Sequence, residues 1–115
     1  MNLDELFDGV VKVRITYRDK LTVHTLREPK SPEWLEYQRR NSNFRFNKKQ
    51  ITATEESVGA RLWLYDLTAQ KVEVMDDGVL VDIPDFKNKI PAMLKDAAAS
   101  AFIAQIRLPD DEEGN

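Results

Sequence analysis

The chain has no cysteine, a single histidine and only four glycines among its 115 residues. Missing thiols exclude a disulfide framework, a cysteine nucleophile and thiolate metal sites. The four glycines form neither a Walker-type phosphate loop nor a dinucleotide fingerprint. His24, set between Val23 and Thr25 in an alternating stretch, brings no nucleophile at a recognisable elbow, so it reads as a structural histidine. Carboxylates are the remaining metal ligands, yet Asp76, Asp77, Asp82 and Asp85 lack the alternating oxygen-ligand pattern of a calcium loop. The expectation is a protein with no enzymatic activity, no cofactor and no metal. Carboxylates brought together from distant positions are the one catalytic arrangement this leaves open. No apolar run approaches the roughly 20 residues that span a bilayer. The acidic start MNLDELFDG has neither the basic nor the apolar region of a secretory signal. No membrane association and a cytoplasmic location are expected.

What is present suits a folded domain, with 42% hydrophobic and 32% charged residues. Residues 1–108 read as a single α+β domain, and 109–115, which includes four consecutive acids, as a disordered solvated tail. Acidic residues outnumber basic ones by 20 to 17. Five of the basic residues, Arg39, Arg40, Arg45, Lys48 and Lys49, fall together between 37 and 54, where there is no acid, leaving 12 to face all 20 acids elsewhere. A directional positive stripe on an acidic protein could meet phosphate or an acidic partner.

Hydrophobic spacing supplies the elements. Val11, Val13, Ile15 and Tyr17 share one parity, and Leu21 and Val23 follow the polar Arg18-Asp19-Lys20, which predicts an N-terminal β-hairpin with one buried face. Ser31-Pro32-Glu33 supplies an N-cap, an N1 proline and a first-turn acid for a short helix that places Trp34 and Tyr37 on one face and dissolves at Asn41–Asn43. A longer helix is predicted from the Thr52/Glu55 capping box along the stripe Val58, Leu62, Tyr65, Ala69 and Val72, closing at Asp77-Gly78. Trp63, Leu64 and Leu67 lie outside that stripe, making this helix apolar on more than one face. Residues 79–83 fit either a short strand or a packed loop. A last helix runs from about Pro91 toward Arg107 on Ile90, Leu94, Ala98, Phe102 and Ile106, with small residues at 97–100 for close helix approach.

Two sets of residues invite a functional reading. Phe44 and Phe46 among Arg39, Arg40, Arg45, Lys48 and Lys49 have the composition of a single-strand nucleic-acid binder, in which aromatics stack on bases while cations meet phosphates. The shared parity of the two phenylalanines favours instead a connector or edge strand over residues 36–50 with both rings turned inward, so nucleic acid is the lesser alternative. The second set, Trp34, Tyr37, Trp63 and Leu67, carries more aromatic surface than one small core needs, which points to protein–protein contact with a partner or a second copy of the chain.

The order of these pieces resembles the small tail assembly chaperones and related tail proteins of tailed bacteriophages and prophages, from about Val11 to Ile106. The points of likeness are Trp34 with Tyr37 and the arginines that follow, Leu64-Tyr65 with Leu67, and Ile90-Pro91 followed by Lys95. The resemblance implies a non-catalytic protein of the bacterial cytoplasm that binds the tape-measure protein or tail-tube subunits while a virion tail is built.

Overall fold

A computed structural model describes residues 9–47 and 53–107, with side chains except those of 43–47 and 53–57. Strands β1 (Val10–Tyr17) and β2 (Lys20–Arg27) form the expected hairpin, and helices α1 (Ser31–Asn47) and α2 (Ala53–Thr68) follow. Two more strands, β3 (Ala69–Asp76) and β4 (Val79–Asp82), precede a single turn of helix, α3 (Phe86–Lys89), and the final α4 (Ala92–Ile106). The strands make one antiparallel sheet in the order β1-β2-β3-β4, so the architecture is α+β.

Alternation in the first hairpin decides which side of the sheet is buried. Val11, Val13 and Ile15 pair with Leu26, His24 and Thr22, and these positions face the helices. The core joins Val13, Leu26 and Val72 from the sheet to Leu64 and Tyr65 of α2 and Ala98, Ala99, Phe102 and Ile103 of α4. Each large aliphatic or aromatic side chain buried there contributes about 1.5–3 kcal/mol. The predicted stripe of α4 holds: Leu94, Ala98 and Phe102 are buried, while Ile90 and Ile106 pack on the core from its ends. Arg61 of α2 donates to both carboxylate oxygens of Asp96 of α4, one contact being Nη2 to Oδ2 at 3.1 Å, and Lys95 reaches Asp66 at 2.8 Å. Cation–carboxylate bonds of this kind align the two helices along their shared face.

Several expected boundaries move. The middle helix stops at Thr68, whose hydroxyl donates back to the Leu64 carbonyl at 2.8 Å, and Ala69 and Val72 belong to β3 rather than to a helical stripe. β-Branched Val72 and Val74 alternate with polar neighbours and pair with His24 and Thr22 of β2, so sheet pairing overrides the apparent helical spacing. Asp77 and Gly78 do not close a helix. They occupy a two-residue turn with φ of 49° and 78°, the pair of positive angles that a type I′ hairpin between β3 and β4 requires. Residues 79–82 are accordingly a strand. The first helix is also longer than expected, with no break at Asn41–Asn43: from residue 36 to Asn47, where a connector or edge strand was expected, the backbone is helical, and 48–50 lie outside the described residues. Glu36 pairs with Arg39 and Arg40 at helical spacing, which helps carry the helix through the polar run. Its cap shifts by one residue. The Lys30 carbonyl accepts the first helical bond, from the Trp34 amide at 2.9 Å, and Glu33 reaches back to the Lys30 amide at 2.8 Å, making Lys30 rather than Ser31 the N-cap. Thr52 of the expected capping box and the 109–115 tail lie outside the described residues.

Candidate protein-docking face

Four sequence-selected residues lie along the seam between α1 and α2. Glu33 at the start of α1 is held by a two-pronged bond from Arg27, 2.8 Å at each contact, and Arg27 also points at the Leu67 carbonyl near the end of α2, 3.5 Å away. The first turn of α1 and the last turn of α2 therefore meet at the end of β2. This bond and the Lys30 amide hold the Glu33 carboxyl at about 2, well below the ordinary carboxylate range. Trp34, next along, stacks on Tyr37 with ring centroids 5.1 Å apart and planes 29° from parallel. Tyr37 is 4% exposed and belongs to the core, so it serves the face by supporting the Trp34 ring rather than by meeting a partner. Trp34 is half-buried, and the Arg107 guanidinium lies 5.9 Å from its ring centre. One turn beyond Tyr37, Arg40 lies 4.5 Å from the centre of the half-buried Trp63 ring. Half-buried Leu67 follows Trp63 one turn further along α2.

The seam thus brings Trp34 and Tyr37 into direct contact and ties Trp63 to α1 through Arg40. Spacing by threes and fours passed over two contributors to this face. Leu35, beside Trp34 in sequence, is 63% exposed, and Arg107 arrives from the end of α4, 73 positions from Trp34. Only the exposed aliphatic residue beside a tryptophan on a capped helix was there to be noticed.

The basic stretch has a different character from the one its composition suggests. Glu36 accepts from Arg39 Nε at 2.9 Å and from its Nη2, and Arg40 Nε lies 2.9 Å from the same carboxylate. Hydrogen bonding to Arg39 first, and the nearby charge of both arginines, lowers the Glu36 carboxyl below its usual range. Positions 44, 45 and 46 are helical, and residues two apart on a helix lie about 200° apart around its axis, so the shared-parity argument for Phe44 and Phe46 lapses. The side chains of Phe44, Arg45 and Phe46, and Lys48 and Lys49 entirely, fall outside the description.

His24 is fully enclosed. Its Nε2 lies 2.9 Å from the Thr22 hydroxyl, which already donates its proton to the Ile15 carbonyl at 2.7 Å. The hydroxyl must therefore accept, so Nε2 carries the proton, and Nδ1 accepts from the Tyr65 hydroxyl at 2.8 Å. Every member of the chain Tyr65–His24–Thr22–Ile15 is satisfied when the imidazole is neutral. Burial lowers the His24 pKa to about 4 and raises that of Tyr65, to which the charge of Asp66 also contributes. This arrangement locks the sheet to α2 and offers no approach to a substrate.

An open cleft of about 460 Å³ lies at the start of α1, lined by Gly9, Val10, Arg27, Glu28, Lys30, Glu33 and Gln70. Its Glu33 is already committed to Arg27 and to the helix cap. Among the described residues, no three histidine, cysteine, aspartate or glutamate side chains gather where they could hold a metal ion. No helix among them is long and apolar enough to cross a membrane. No family model matches the chain, and neither does any curated protein or solved structure.

Proposed function

We propose that the chain is a non-catalytic protein-binding module that docks a partner on the α1–α2 seam, and that its setting is the assembly of a phage tail, with tape-measure or tail-tube protein as the partner. The observation that carries the docking reading is Trp34. Its ring is stacked on the core residue Tyr37, flanked by Arg107, and adjoins the exposed Leu35. A tryptophan whose orientation is set before binding loses little side-chain freedom on contact, and tryptophan and arginine are the residue types that dominate interface energies. The tail-assembly setting rests on the likeness carried by Trp34 with Tyr37, Leu64-Tyr65 with Leu67 and Ile90-Pro91 with Lys95.

Nucleic acid is the weaker reading, because Arg39 and Arg40, the two cations of the stretch whose side chains are described, are both engaged by Glu36. Co-expression with tape-measure or tail-tube protein tests the proposal. The wild-type chain should raise the soluble yield of its partner, and Trp34→Ala should abolish the effect. That variant should lose about 2 kcal/mol of stability, roughly half of a full core Trp→Ala change, and remain folded. Equal rescue by the folded variant, or no rescue by the wild type, would count against the proposal.

A further inference from the structure

The sheet ends on a strand whose exposure no part of the docking seam uses. All four residues of β4 are exposed, including three consecutive aliphatic ones: Val79 at 62%, Leu80 at 40% and Val81 at 45%. β4 lies at the end of the strand order and pairs with β3 on one side. Which backbone groups it leaves outward follows from its bonding pattern. The Ile83 amide donates to the Val72 carbonyl at 2.9 Å, while Glu73 stands opposite Asp82 and Val74 opposite Val81. In an antiparallel ladder, bonded and non-bonded pairs alternate, so Val79 and Val81 turn their amides and carbonyls toward β3. Leu80 and Asp82 turn theirs outward. Leu80 itself lies beside Met75 on the sheet face opposite the core, whereas Val79 and Val81 project on the other side.

The opposite edge shows what a guarded strand looks like in this fold. By the same alternation, the residues of β1 that bond outward include Lys12, Arg14 and Thr16, all exposed, and such cations on an edge discourage strand addition. β4 has no lysine, arginine, proline or bulge. Its charges lie at its ends instead, and acids are in excess there: residues 76–85 contain Asp76, Asp77, Asp82 and Asp85 and no basic side chain, while the neighbouring strands bring Lys71 to 3.7 Å from Asp82 and Lys20 to 3.5 Å from Asp76.

That charge decides what can occupy the edge. A second copy adding antiparallel must match outward-bonding residues with each other, which sets Leu80 opposite either Leu80 or Asp82. With Leu80 opposite Asp82, the turn carrying Asp77 in each copy falls toward the end of the other copy's β4, beyond which Asp85 follows. With Leu80 opposite Leu80, Asp82 falls beside Asp77 of the other copy. Either register brings the acidic ends of both hairpins together, eight aspartates against the four lysines that pair with Asp76 and Asp82, and an excess of like charge across paired strands is destabilising. An extended segment with aliphatic residues at its centre and lysine or arginine at its ends meets the same features favourably.

We infer that β4 is a docking strand for such a basic-ended, apolar extended segment of a partner protein, which adds as a fifth antiparallel strand through the outward amides and carbonyls of Leu80 and Asp82. This surface is separate from the α1–α2 seam and does not depend on the reading given to that seam.

The probe is an acetylated heptapeptide of alternating valine and threonine with lysine at both ends, titrated into the full chain and followed by amide NMR and hydrogen exchange. Shifts should centre on residues 79–82, and at saturation exchange of the Leu80 and Asp82 amides should slow at least 10-fold. The same peptide ended in glutamate should bind at least 10-fold more weakly. A twin N-methylated at the pairing positions should not bind, a control that requires no change to the protein. Asp82→Lys should reduce the preference for the lysine-ended peptide. Absence of protection at Leu80 and Asp82, equal binding of all three peptides, or an unchanged preference in Asp82→Lys would overturn the inference. A concentration-dependent dimer abolished by Leu80→Pro would also overturn it, because that change removes an outward amide and spares the β3 ladder, making the occupant a second copy.

Discussion

His24 shows how far a single residue can be read before its surroundings are known. A lone histidine in an alternating stretch points to a structural role, and its burial agrees with that. Its tautomer could not be read, because it depends on Tyr65, 41 positions away, and on a Thr22 proton already given to Ile15. The consequence is a pH dependence with a definite sign. The unfolded chain takes up a proton at His24 near 6.5 and the folded chain only near 4. Stability from this group is therefore complete above 6.5 and is lost as pH falls through that interval, at about 1.4 kcal/mol per pH unit and about 3 kcal/mol in all. Glu33, whose folded pKa is depressed from 4.5 to about 2, contributes its loss only below 4.5. Urea midpoints measured at pH 7 and pH 5 should accordingly fall for the wild type and stay nearly level for His24→Gln, whose lower stability at pH 7 reflects the broken Tyr65–Thr22 link. A wild type whose stability does not change across this window would show that the imidazole is solvated.

Elements were legible where the spacing had one explanation. β1 and α4 follow their apolar periods closely, with Val13 and Phe102 at the centres of the faces expected to be buried, whereas in β2 it is Thr22, His24 and Leu26, not Leu21 and Val23, that stand with Val13 on the helix side. The α2–β3 junction was not legible, because Thr68 passes into Ala69 without a loop. Core positions on the helix and the following strand happen to continue a spacing of threes and fours. Asp77-Gly78 between the alternating Val72/Val74 and Val79/Val81 was the available hairpin signal, and the long helical stripe obscured it. The other hairpin has the same turn geometry with poorer residues for it. Arg18 and Asp19 sit at φ of 49° and 66° without a glycine, and left-handed backbone costs non-glycine residues about 1–2 kcal/mol each. Replacing the pair by the turn-favouring sequence, Arg18→Asn with Asp19→Gly, should raise stability by about 1 kcal/mol or more, read as a higher denaturant midpoint at unchanged slope. A lower midpoint would mean that contacts such as Arg18 over the Tyr17 ring outweigh the relief of strain.

At the scale of the molecule, the sheet carries its helices on one face, and α2 and α4 are fastened to each other by Arg61–Asp96 and Lys95–Asp66. The tryptophans identified in the sequence lie on the helical layer, half-buried at its seam. Sequence spacing could nominate Trp34, Tyr37, Trp63 and Leu67, but it could not separate the buried support, Tyr37, from the accessible ring, nor supply Leu35 and Arg107. Those distinctions depend on how α1 rolls against α2 and on where α4 ends. The central claim, docking through this seam, is tested most directly by calorimetric titration of the tape-measure or tail-tube protein with the wild-type chain and with Leu35→Asp. This substitution places a charge next to Trp34 in the chain at a site that is 63% exposed, so the melting temperature should not change. The account predicts saturable binding by the wild type and a loss in the variant of about 2 kcal/mol, near 30-fold in Kd, as expected at a binding hot spot. Identical affinities for the two chains, or no binding of either partner protein by the wild type, would contradict it.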